Sequence, residues 1–116
     1  MKRTRTIEDY KRAGAWMRLL KTVLAEAHVS CGDVMSKNDC VMFDTVTKKV
    51  NLICSRAEDN MFKDLPGISN DALDIFYGSA DCSTRTDTDR EQVRLMQDLI
   101  VNMFGTNWTA DAAHND

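Results

Sequence analysis

Residues 40–54 read Cys40-Val41-Met42-Phe43-Asp44-Thr45-Val46-Thr47-Lys48-Lys49-Val50-Asn51-Leu52-Ile53-Cys54, and the fold turns on how that run is parsed. Two short β-rich runs, 40–44 and 50–54, flank a polar link at 45–49, the pattern of a β-hairpin. With the loop centred on Thr47, Cys40 faces Cys54, Met42 faces Leu52 and Asp44 faces Val50. The other face then holds Val41, Phe43 and Ile53, with Asn51 opposite Phe43. A hairpin wet on one side alternates apolar and polar residues, and this one is apolar on both. Two strands alone are marginally stable. The first helix is expected over one face, and the C-terminal helix, a third strand or a second subunit over the other. Val41, Phe43 and Ile53 are thereby the candidate oligomer interface.

Upstream, Thr6-Ile7-Glu8-Asp9 has the form of a capping box, with Asp in place of Glu or Gln, and Gly32 supplies a stop. At 100° steps Ala13, Trp16, Met17, Leu20, Val23, Leu24 and Ala27 fall on one side of this helix, with Tyr10 and Leu19 at the margins. So wide an arc predicts a central core element. Downstream, Ser55-Arg56-Ala57-Glu58 reads as a box opening a short helix that Leu65-Pro66-Gly67 ends. Ala57, Met61 and Leu65 share one side of it. Residues 70–77 suit a helix capped by Ser69 better than a strand, and 79–87 read as a loop. Thr88-Asp89-Arg90-Glu91 opens a last helix that Gly105 closes. Val93, Met96, Leu99, Ile100, Met103 and Phe104 form its apolar arc. The expected fold is α+β: a long N-terminal helix, a β-hairpin, one or two short helices and a long C-terminal helix, with the first and last helices packed together. It forms a single compact domain over 1–105, followed by a flexible tail at 106–116.

A chain of 116 residues, 43% hydrophobic and 28% charged, suits one domain with one modest core. The net charge of −3 exerts no global pull on nucleic acid, but it is unevenly placed. Residues 1–24 carry seven Lys and Arg against Glu8 and Asp9, a net of +5, and the remainder nets −8. No run approaches the roughly 18 apolar residues that span a bilayer. Glu8, Asp9, Lys11 and Arg12 stand where a signal peptide would be apolar. Cysteines spaced C-x8-C-x13-C-x27-C lack the close pairs of a zinc site and the density of a disulfide scaffold. Free thiols in the cytoplasm are the expectation, with no membrane association.

Groups able to do chemistry are sparse. His28 falls at the rim of the first helix's arc and reads as a boundary residue; His114 is in the tail. Cys31 lies near a helix C-terminus, whose dipole disfavours a thiolate. His28-x-x-Cys31 has ligand-like spacing but no second pair, and Asp71 and Asp74 read as carboxylates of a helix's first turn. The five glycines form no phosphate loop; Gly14 alone lies inside an element. No catalytic residue, metal or cofactor is expected. What stands out is a basic strip: Lys11, Arg18 and Lys21 with Gly14 and Ala25 between them, extended by Lys2, Arg3 and Arg5. It is the candidate partner or nucleic-acid contact. The leading expectation is a non-enzymatic adaptor or inhibitor that binds another protein and is itself homo-oligomeric; the alternative is a nucleic-acid-binding regulator using that strip.

Overall fold

The computed structural model describes residues 5–77 and 86–105. Among these there is no strand: the chain forms α1 (Ile7–Cys31), α2 (Lys37–Asp64) and α3 (Asp87–Phe104), with short 3₁₀ turns at Gly32–Val34 and Asn70–Asp74. The α+β expectation is thus overturned. Residues 40–54 are not a hairpin but the middle of α2, a 28-residue helix.

The physical reason lies in the period. Phe43, Thr47, Val50, Cys54, Ala57 and Met61 recur alternately four and three residues apart, which lays them along one helix face. Val50, Cys54 and Met61 are buried, and the other three are half-buried. A run apolar on both strand faces is equally a helix with an apolar stripe, and no Gly, Pro or Asn-Gly pair at 45–49 supplies hairpin turn geometry. Ser36 starts the helix, its hydroxyl accepting from Asp39 N at 3.1 Å. Ser55, read as a cap, is an exposed mid-helix residue. Cys40 and Cys54 are 14 residues apart along α2, about 21 Å, and are not cross-strand neighbours.

Thr6 caps α1 as expected: its hydroxyl accepts from Asp9 N, and Asp9 Oδ2 accepts from Thr6 N at 2.9 Å. α2 runs antiparallel to α1, for Tyr10 meets Asp64, Lys21 lies beside Cys54, and the His28 ring stacks on Phe43 at 4.7 Å between centroids. α3 packs on α1 as expected, running in the same direction, so that Lys11 meets Glu91 near the start and Val23 nears Met103 at the far end. Its cap is Thr86 and not Thr88, with Thr86 Oγ1 accepting from Asp89 N at 3.0 Å. α2 and α3 make at most marginal contact with each other. The turn at Asn70–Asp74, capped by Ser69, leads into Ile75 and Phe76, which are buried with Tyr10, Val50, Cys54, Met61 and Ala72 in the main core. The expected loop lies largely, and the tail wholly, outside the described residues.

Candidate functional site

Two surfaces of α1 behave opposite to the sequence expectation. The helical part of the basic strip, Lys11, Arg18 and Lys21, turns toward intramolecular partners. Arg18 is fully buried; its guanidinium donates to the Asp74 carbonyl at 2.9 Å and to Asp89 Oδ1 at 2.8 Å. An arginine so buried needs a paired charge, and Asp89, itself buried, supplies it. Thr86 Oγ1 donates to Asp74 Oδ2 at 2.7 Å, tying the start of α3 to the 3₁₀ turn. Gln92 Nε2 bridges the carbonyls of Lys11 and Ile75. Lys11 pairs with Glu91 at 2.7 Å, and Lys21 Nζ donates to the Phe76 carbonyl at 2.7 Å beneath the Tyr77 ring. Arg5 pairs with Asp64 at 2.8 Å. Lys2 and Arg3 lie outside the described residues. Lys11, Arg18 and Lys21 thus form a polar seam, fully buried at Arg18, that fastens the 3₁₀ turn and α3 to α1.

Gly14 belongs to that seam. A Cβ there would collide with the Ile75 carbonyl and lie 2.5 Å from Ile75 Cγ2, so only glycine lets the two backbones approach.

Beside the seam is a cluster in which half-buried Lys21, Glu58 and Tyr77 surround the fully buried Cys54. Burial dominates every titration in it: it lowers Lys21 and raises Cys54, Glu58 and Tyr77. Burial also raises Tyr10, helped by its hydrogen bond to Asp64. Held as a thiol and fully enclosed, Cys54 is poorly placed to attack a substrate. His28 is occupied by its stack on Phe43. Among the described residues no three His, Cys, Asp or Glu side chains are grouped to hold a metal ion.

The apolar arc, in contrast, is only partly covered. Met17 and Leu24 reach the core, but Trp16, Leu20 and Val23 stay 42%, 41% and 56% exposed. Facing them from the end of α3 are Ile100, Met103 and Phe104, the last two about half exposed. Together with Leu19 they line an open groove of about 400 Å³ whose walls are almost wholly apolar. Of the residues singled out as an oligomer interface, Val41 and Ile53 are exposed, about 120° apart on α2, while Phe43 turns toward α1.

The groove residues are all visible in the sequence as apolar, and their periodicity places them on packed arcs; the three-dimensional arrangement shows Trp16, Leu20, Val23 and Met103 well exposed among the described residues. The chain matches no protein-family model, no curated protein and no solved structure. Among the described residues no helix is long and apolar enough to cross a membrane.

Proposed function

We propose that this chain is a non-enzymatic interaction protein of the adaptor or inhibitor type, which binds another protein through the groove between α1 and α3. The groove carries the reading: an apolar surface on two helices, exposed among the described residues, is costly to leave in water. Trp16 to Val23 spans about 10 Å of α1, or two turns. That length suits an amphipathic partner helix with two or three apolar anchors spaced i, i+3 or i+4, and i+7. Trp16 would supply the largest contact.

The cytoplasm is the proposed location, supported by free thiols at Cys31, Cys40 and Cys54. A homo-oligomeric state is proposed as well, since α2 also keeps apolar residues in the open. The nucleic-acid alternative has less support, because Lys11, Arg18 and Lys21 are all committed to intramolecular partners.

Panning a displayed library of amphipathic helical peptides tests the groove. Enriched peptides should bind the wild-type chain and Ile53→Asp alike and lose binding to Leu20→Asp. No enrichment, or peptides indifferent to Leu20→Asp, would contradict the proposal.

A further inference from the structure

We infer that two copies of this chain pair through the outer face of α2, antiparallel, about a two-fold axis between Thr47 and Lys48. This deepens the oligomeric part of the proposed function and is independent of the groove. Among the described residues α2 packs against α1 and against Ala72, Ile75 and Phe76, and elsewhere keeps apolar side chains exposed: Val41, Met42, Val46, Leu52 and Ile53 are 48% to 64% exposed. Met42, Val46, Lys49, Ile53 and Arg56 recur alternately four and three residues apart, the spacing of a coiled-coil seam. This second seam lies about 100° around the helix from the buried one. A neighbour can therefore seat there without displacing α1.

The seam is complementary to itself in one orientation. Setting Met42 of one copy against Ile53 of a second copy sets Val46 against Lys49, and it brings Asp39 level with Arg56. The same pairs recur on the other side of the axis, as a closed two-fold contact requires. Asp39 and Arg56 are both exposed, so opposite charges flank the apolar patch at each end. Parallel pairing in register would place Asp39 on Asp39 and Arg56 on Arg56, so charge selects the antiparallel arrangement. Lys49 is the weak point. Its stem covers Val46 of the second copy while its ammonium reaches for water. The two ammonium groups lie near the axis and repel, which keeps the dimer weak.

Sedimentation equilibrium of the full chain, from micromolar to several hundred micromolar, tests this in one variant series, with far-UV circular dichroism as a check on folding. The wild-type chain should dimerise, and Ile53→Asp should remain helical and monomeric. Asp39→Arg and Arg56→Asp should each weaken the dimer several-fold, the double exchange should restore it, and Lys49→Leu should tighten it. A double exchange no better than the singles would overturn the α2 pairing. A dimer that survives Ile53→Asp but is lost in Leu20→Asp would overturn it too, while leaving the oligomeric reading standing with the groove as its interface. A wild-type chain that stays monomeric throughout would remove both, and the groove would still be judged by its peptides.

Discussion

The Ile75 carbonyl oxygen lies well inside contact distance of where the Cβ of any other residue at position 14 would stand. Gly14→Ala should therefore destabilise the protein by about 1–3 kcal/mol through overpacking, although alanine is the better helix former by about 1 kcal/mol. Urea unfolding measures this, and a neutral or stabilising result would place Ile75 elsewhere. Arg18→Met should cost more, about 3–5 kcal/mol, because buried Asp89 would lose the guanidinium that pairs with it at 2.8 Å. Glu58 predicts a pH effect on stability. Burial raises its folded pKa above the ordinary value of 4.5, with Asp59 adding to the rise and Lys21 opposing it. The native state thus binds more protons than the unfolded one just above pH 4.5, and the contribution of Glu58 to stability falls as pH rises through its folded pKa. Glu58→Gln should raise the melting temperature at pH 7 and change little at pH 4. The same small gain at both values would show that the carboxylate's charge is not the cause.

At the scale of an element, α2 separates helix from hairpin. Lys48 is an exposed mid-helix residue, so Lys48→Gly should cost about 1 kcal/mol in denaturant unfolding. In a hairpin loop the same change would be neutral or favourable, since turns welcome glycine. The termini of α1 were legible in Thr6, Asp9 and Gly32, because a cap is a local pattern with a local cause. α2 was not legible as a unit. Its β-branched residues favour strands locally, and the seven-residue rhythm from Phe43 to Met61 emerges only when the run is not broken at Thr47. The rotation of α1 was missed for a related reason. Lys11, Arg18 and Lys21 read as wet because cations usually are, yet their partners, Glu91, Asp89 and the Phe76 carbonyl, come from distant positions. Gly14 within the strip was the available clue: a small residue among long ones permits close approach.

Across the whole molecule, the inward turn of the basic strip and the outward opening of the groove are two sides of one arrangement. Burying Arg18 against Asp74 and Asp89 orients α1 so that Trp16, Leu20 and Val23 face the end of α3 and stay exposed among the described residues. The amphipathic pattern of α1 and α3 reads as a packed core, since amphipathicity marks a face as apolar without saying what covers it. The most direct measurement is photo-crosslinking in the cells that make the protein, with benzoylphenylalanine placed in turn at Val23, at Met103 and at exposed Glu26 as a control. Adducts of one defined partner protein at positions 23 and 103, absent at 26 and abolished by Leu20→Asp, are the predicted result. Equal adducts at all three positions, or none at the groove, would contradict it.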